Sequence, residues 1–118
     1  MSNFTAPATI DHLLTEAEKG QLYQKLIEQL NKDFNFANEA IDLPLSILPE
    51  ELKSALHDKI YRLIQYKFAE YLNLLYIIDV PEEQVKQLDG TDIFEMSHQV
   101  AFLVLKREWM KVWFRNNY

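Results

Sequence analysis

The chain has 118 residues, a formal net charge of −6 and no cysteine, and 48% of its residues are hydrophobic. This length and composition predict one folded domain, and the absence of cysteine excludes disulfides, thiolate metal ligands and cysteine nucleophiles. With only 2 glycines, the sequence lacks the turn residues of a multi-stranded β-protein and excludes glycine-rich phosphate loops, so we expect an all-α fold.

The first residues carry little apolar content, so we expect a flexible tail over residues 1–8 and a single helical domain over residues 9–118. This beginning has neither a basic start nor a long apolar run. Both features predict a cytoplasmic protein without a signal peptide or a membrane span.

A first helix is predicted over residues 16–33. Thr15 and Glu18 match a capping box, and apolar residues at helical spacing follow them. Gly20 weakens this helix, because a glycine inside a helix costs about 1 kcal/mol relative to alanine.

Residues 49–78 form the longest stretch with helical periodicity and no glycine or internal proline. Pro49 suits a first helical turn, and Glu50 and Glu51 complement the positive end of the helix dipole. We therefore predict one helix, roughly 45 Å long, against which the rest of the chain packs. Apolar and polar residues alternate before it without a partner strand, so we expect residues 34–48 to be an extended connector.

After this helix, Asp79 and Glu82 match a second capping box, which predicts a short helix that ends at Gly90. Thr91 or Asp92 then caps a last helix that continues to the basic end of the chain. The predicted fold is a small all-α bundle with two long antiparallel helices, a first helix, one short connecting helix and an extended connector.

Two segments, residues 71–78 and 100–105, are apolar on more than one side of their predicted helices. Other helices or a second copy of the chain must cover them. We therefore predict that the protein self-associates through one of these segments.

Glu95 and His98 form a Glu-x-x-His pair, which is half of the motif that holds di-metal sites in helical bundles. No second copy of the motif occurs, so we expect no metal or cofactor. His98 falls between Phe94 and Ala101 on the apolar side of the last helix, and we expect it to be buried and neutral.

Cations and aromatic residues alternate near the end of the sequence. Residues 106–118 hold 4 Lys and Arg against 1 acidic residue, whereas residues 1–105 hold 8 against 17. Such charge asymmetry can orient an acidic partner. The predicted binding residues are Arg107, Lys111, Arg115, Trp113 and Tyr118. Alternatively, the cations only stabilise the helix end or pair with acidic residues of the same chain, such as Glu18, Glu28 or Asp58.

These patterns favour a small non-catalytic cytoplasmic protein that acts in protein–protein interaction or regulation, as an adaptor does, and that binds a protein partner through an acidic surface of that partner or forms a homo-oligomer. One alternative is a nucleic-acid-binding accessory protein that uses the basic last helix. The excess of 9 acidic residues over residues 1–105 argues against it. A metal-dependent enzyme at Glu95 and His98 is a third alternative.

Overall fold

The computed structural model describes residues 4–118, and these residues form six α-helices and no β-strand. The predicted all-α bundle is confirmed. The helices are α1 (Ile10–Lys19), α2 (Tyr23–Phe36), α3 (Pro49–Tyr66), α4 (Phe68–Ile78), α5 (Glu82–Lys86) and α6 (Ile93–Asn117).

The longest helix, α6, lies at the centre of the bundle and contacts each of the other five helices. Helix α3 runs antiparallel to it, because the His57 ring packs on Phe94 while Lys53, one turn earlier in α3, shares a surface cleft with Phe102, two turns later in α6. The prediction of two long antiparallel helices is therefore confirmed. The expectation that residues 49–78 would organise the chain is wrong, because α6 has buried residues on more than one side and the other helices surround it.

The beginning of α6 agrees with the sequence. The Asp92 side chain accepts a hydrogen bond from the backbone N–H of Glu95 at 3.2 Å, so Asp92 is the cap that the sequence predicts at position 91 or 92.

The single helix predicted over residues 49–78 is wrong, because the chain divides at Lys67 into α3 and α4. Lys67 has φ −142° and ψ 61°, which is not a helical conformation. Its N–H still donates to the Leu63 carbonyl at 2.9 Å, and its carbonyl accepts from the Tyr71 N–H at 3.0 Å. The break therefore leaves both backbone groups of Lys67 hydrogen-bonded.

Tertiary packing explains this break. The buried carboxylate of Glu39 lies 3.0 Å from Lys67 Nζ and 3.2 Å from Lys59 Nζ, so an ion pair from the connector holds the chain at the break. A straight helix of roughly 45 Å would also exceed the longest dimension of the molecule, 40 Å. Because the chain turns at Lys67, α4 packs against α2, α3 and α6.

The prediction of a single first helix is also wrong, because α1 ends at Lys19 and α2 begins at Tyr23. Gln21 has φ 60°, a left-handed conformation that interrupts the helix. The cap of α1 is Thr9, whose hydroxyl accepts from the His12 N–H at 3.1 Å, and not Thr15. Two shorter helices allow both apolar faces to reach the core.

Residues 37–48 form a connector with neither helix nor strand, as predicted, whereas residues 34–36 belong to α2. The connector is not extended throughout, because it turns at residues 37–38 and 45–46 and has positive φ at Asn38 and Asp42. The Asn31 side chain acts in place of a partner strand. Its amide donates to the Leu43 carbonyl at 2.9 Å, and its oxygen accepts from the Leu43 N–H at 2.8 Å. Leu43 and Ile47 are thereby held against the core.

The predicted bounds of the short helix are wrong, because α5 has only five residues and ends at Lys86, not near Gly90. Asp79 does not cap it. With φ 69°, Asp79 ends α4 in a left-handed conformation, and Pro81 is the residue that precedes α5.

Part of the tail predicted over residues 1–8 lies outside the described residues. Residues 4–8 have no regular secondary structure. Within them, the Phe4 ring lies 5.3 Å from the Trp113 ring, edge to face.

Candidate functional surface

The predicted binding residue Arg107 lies between α6 and the end of α4. Its Nε donates to the Asp79 carbonyl at 3.0 Å, and its Nη2 lies 3.1 Å from the Asp79 carboxylate. A cation at this place satisfies the last carbonyl groups of a helix. Arg107 therefore binds within the chain, at an acid that is not among the partners suggested from the sequence, Glu18, Glu28 and Asp58.

Lys111 also points into the protein. Its Nζ lies 2.7 Å from Asp33 Oδ2 in α2 and 2.9 Å from Glu108 Oε1 in α6. All three side chains are mostly or fully buried, so Lys111 lies in a cluster of ionisable groups between α2 and α6.

Glu108 is the unusual member of this cluster, since its side chain has no exposed surface. Neither of its carboxyl oxygens receives a well-directed hydrogen bond, although Lys111 Nζ is close to Oε1. Burial, followed by the interaction with Asp33, raises the pKa of Glu108 to about 9, and Lys111 only partly opposes this rise. Glu108 is therefore protonated at neutral pH, because the effect of burial on its pKa exceeds that of the nearby Lys111 ammonium group.

The pKa of Asp33 is lowered, whereas that of Glu108 is raised. Burial alone would raise its pKa, but hydrogen bonds with Glu108, Lys111 and Gln29 lower it below the ordinary value. The cluster thus holds one ionised acid, one protonated acid and one ammonium group, which together leave no net buried charge.

Arg115 is the most exposed of the three predicted cations. Its Nη1 donates to Gln29 Oε1 at 2.9 Å. Together with Lys25 and Lys32 it lines a polar cleft of about 350 Å³ between α2 and α6, where Glu28 is the acidic residue. The structure brings Arg115 into one cleft with Lys25 and Lys32 of α2, two lysines far from it in the sequence.

The predicted aromatic residues lie at the end of α6. Trp113 is partly buried between Phe4 and Phe114. Tyr118 stacks on Phe114 with ring centroids 5.6 Å apart. The predicted binding residues are therefore not one surface, because Arg107 faces α4, Lys111 and Arg115 face α2, and the aromatic residues pack together.

His98, which the sequence predicts to be buried, is exposed, so that expectation is wrong. His98 lies on the outer face of the first turns of α6, where His57 of α3 packs against it. The His57 and His98 rings are stacked 3.6 Å apart. Limited burial, followed by the proximity of His57, lowers the pKa of His98, and Glu95 opposes this effect.

The Glu95 and His98 pair does not gain further ligands from the fold. Over residues 4–118, no group of three or more His, Asp and Glu side chains is placed to hold a metal ion.

The surface has a row of three exposed apolar side chains on α4, which we call the α4 stripe: Phe68, Leu72 and Tyr76. They are 53%, 50% and 82% exposed. Their spacing of four residues places them on one face of the helix. At about 200 Å² for each large side chain, the stripe exposes roughly 350 to 400 Å², which is comparable to the largest, often functional, apolar patch of a typical monomer.

A groove borders the stripe at the C-terminal end of α4. It has a volume of about 600 Å³ and is lined by apolar side chains of α4, α5 and the turn between them, with charged residues at its edge. The lining residues are Leu72, Leu75, Tyr76, Asp79, Val80, Pro81, Glu82, Val85 and Lys86. An apolar row beside an apolar groove is the usual form of a helix-binding surface.

The sequence carried a signal for this surface. Residues 71–78 are predicted to be apolar on more than one side, and Tyr71, Leu74 and Ile78 do face the core while Leu72 and Tyr76 face outward. The second predicted segment differs, because Val100, Val104 and the other members of residues 100–105 are buried within the chain, apart from partly exposed Phe102.

Comparison of the chain with protein-family models, with curated proteins and with solved structures found no match. No helix in residues 4–118 has the length and apolar character that crossing a membrane requires. The protein is therefore described by its fold and its surface as a small α-helical bundle with an exposed apolar helix face.

Proposed function

We propose that the protein is a non-catalytic interaction protein of the cytoplasm and that it binds protein partners through the α4 stripe and the adjoining groove. The observation that carries this proposal is the exposure of Phe68, Leu72 and Tyr76 on one face of a helix whose other side is fully packed. Large apolar side chains in such a row are costly in water and act as anchors when a partner covers them.

The internal ion pairs of the α6 cations favour protein binding over nucleic-acid binding. The Glu108 cluster is buried, and Arg107 is bound to Asp79. A nucleic-acid-binding role would need the cations of α6 to face phosphate groups, yet two of the three predicted cations are held by acids of the same chain.

A second contact region rests on the cleft between α2 and α6. Arg115, Lys25 and Lys32 line it against Glu28 alone, which gives a local excess of cations on an acidic protein. We propose this cleft as the place where an acidic segment of a partner docks. We therefore assign the predicted preference for acidic partners to Arg115 of α6 together with Lys25 and Lys32 of α2.

Site-specific photo-crosslinking tests the main proposal. A photoreactive phenylalanine analogue replaces Leu72 in cells of the natural source. The same analogue replaces Asn73 as the control, because Asn73 is also exposed but lies about 100° around the helix from Leu72. We expect adducts of defined mass from position 72 that position 73 does not give and that Tyr76→Glu abolishes. Identical adduct patterns at positions 72 and 73 would contradict the proposal.

A further inference from the structure

Residues 4–7, with the sequence Phe-Thr-Ala-Pro, contact the last turns of α6. Measured between ring centroids, Phe4 lies 5.3 Å from Trp113 and 5.6 Å from Phe114. Both contacts join residues that are more than a hundred positions apart in the sequence, so the segment before α1 and the end of α6 meet through aromatic side chains.

The segment is held by its first and fourth side chains. Pro7 is buried and Phe4 is partly buried, whereas Thr5 and Ala6 between them are exposed. A spacing of three is the repeat of a polyproline II helix, and a proline restricts the residue before it to extended conformations. A polyproline II helix has no internal hydrogen bonds, and no hydrogen bond joins residues 4–8 to the rest of the described chain. Side-chain packing alone therefore keeps the segment in place.

The surface that receives Phe4 is aromatic. Trp113 and Phe114 meet edge to face with centroids 5.1 Å apart, and Tyr118 stacks on Phe114. Grooves lined by aromatic side chains are the usual docking sites of proline-containing polyproline II segments. Phe114 and Tyr118 are still 39% and 73% exposed, so residues 4–7 cover only part of this surface.

A cleft beside Phe4 is also left open. It has a volume of about 410 Å³ and lies between the segment, α1 and α6. Trp109 and Trp113 belong to its lining, and polar side chains of both helices surround them. A ligand that takes the place of Phe4 and also fills this cleft buries more apolar surface than residues 4–7 do, and it is therefore able to replace them.

We infer that the end of α6 is a binding site for extended Phe-x-x-Pro segments, and that residues 4–7 occupy it as an internal ligand that such a segment of a partner protein displaces. The site is separate from the α4 stripe and does not depend on the function proposed for that stripe. A segment tethered by a short linker acts at an effective concentration of the order of 1 mM. The internal ligand thus excludes weak competitors and admits a partner that binds more tightly.

A competition experiment on the full chain tests this inference. The probe is the capped, fluorescein-labelled peptide Phe-Thr-Ala-Pro-Ala, the sequence of residues 4–8, and fluorescence anisotropy measures its binding. Phe4→Ala vacates the site, and Thr5→Ala, an exposed change in the same segment, is the matched control.

We expect Phe4→Ala to bind the peptide about tenfold more tightly than the wild type and Thr5→Ala do, because a site that its own segment fills about 90% of the time is open in about one tenth of the molecules. With an effective concentration near 1 mM, this occupancy corresponds to a Kd of about 0.1 mM for the open variant. Equal affinities of the wild type and Phe4→Ala would overturn the inference, as would no binding by Phe4→Ala at about 1 mM protein.

Two further changes locate the peptide on the protein. Adding Phe114→Ala to Phe4→Ala should remove binding, since Phe114 lies against the place of Phe4. A peptide with alanine in place of its phenylalanine should not bind either. Circular dichroism shows whether each variant keeps its helices, and binding that either change leaves unaffected would overturn the inference.

Acrylamide quenching of tryptophan fluorescence gives an independent readout. Trp109 is buried, whereas Trp113 is partly exposed beneath Phe4. Phe4→Ala should therefore increase quenching through Trp113, Thr5→Ala should not, and the unlabelled peptide should reverse the increase. Unchanged quenching in Phe4→Ala would show that residues 4–7 do not cover the site in solution and would overturn the inference.

Discussion

Replacement of Glu108 by glutamine should stabilise the protein at neutral pH, although it changes a fully buried residue of the central helix. The pKa of Glu108 is about 9 in the folded protein and 4.5 as the ordinary value. At pH 7 folding therefore requires the carboxylate to take up a proton, and each pKa unit corresponds to 1.36 kcal/mol. The 2.5 units between 4.5 and 7 amount to about 3 kcal/mol of lost stability.

Glutamine has the shape of a protonated glutamic acid and keeps an N–H group that can donate to Asp33, but it needs no proton. Glu108→Gln should thus raise the free energy of unfolding at pH 7 by up to about 3 kcal/mol. The pH dependence follows from the raised pKa. The folded state holds more protons than the unfolded state between pH 4.5 and about 9, so wild-type stability falls as pH rises through this window.

Urea denaturation of both proteins between pH 7 and pH 8.5 measures the effect. The difference in free energy of unfolding between Glu108→Gln and the wild type should grow by about 1.4 kcal/mol per pH unit, while Glu95→Gln, an exposed change on the same helix, should show no such growth. If Glu108→Gln were less stable than the wild type by an amount independent of pH, Glu108 would be ionised in the folded protein and paired with Lys111, and the reasoning would be refuted.

Three further predictions concern the fold. His98→Gln should remove part of the stability loss that the wild type shows in thermal melts as pH falls below 6.5, because the lowered pKa of His98 beside His57 means that the unfolded chain binds the proton more readily; equal acid sensitivity of both proteins would exclude His98 as the cause. Asn31→Ala should cost about 2 kcal/mol in urea denaturation, since it removes two hydrogen bonds to the Leu43 backbone, and a loss below about 0.5 kcal/mol would show that water replaces them. Gln21→Gly should add about 0.5 to 1 kcal/mol by relieving a left-handed conformation, and a lower melting temperature would show that the greater freedom of glycine in the unfolded chain dominates.

The helical class and the start of α6 could be predicted from the sequence because they depend on local patterns. The positions of helix breaks could not. Lys67 has no intrinsic tendency to interrupt a helix, and the break there depends on Glu39, which is 28 residues away. Similarly, Gly20 suggested a weak helix, while the left-handed residue is its neighbour Gln21.

The surface was predictable in part for the same reason. The apolar excess of residues 71–78 is a local property, and it predicted a helix whose apolar side chains need cover on more than one side. The bundle covers Tyr71, Leu74 and Ile78, whereas Leu72 and Tyr76 are exposed. The roles of Arg107 and Lys111 depend on Asp79 and Asp33, and no spacing rule relates residues 28 and 78 positions apart. Glu108 did leave a signal, because it lies three residues after Leu105 on the apolar side of the last helix.

The central position of α6 has a consequence for synthesis of the protein. The contacts of α6 with α2 include Lys111 with Asp33 and Arg115 with Gln29, which are 78 and 86 residues apart in the chain. The ribosome therefore makes α1 and α2 long before the helix that covers them. At about 5 to 20 residues per second, the roughly eighty residues between the ends of α2 and α6 take on the order of 4 to 16 s. During this interval the apolar faces of the first helices have no α6 to pack against, so the bundle closes only after translation has passed residue 117.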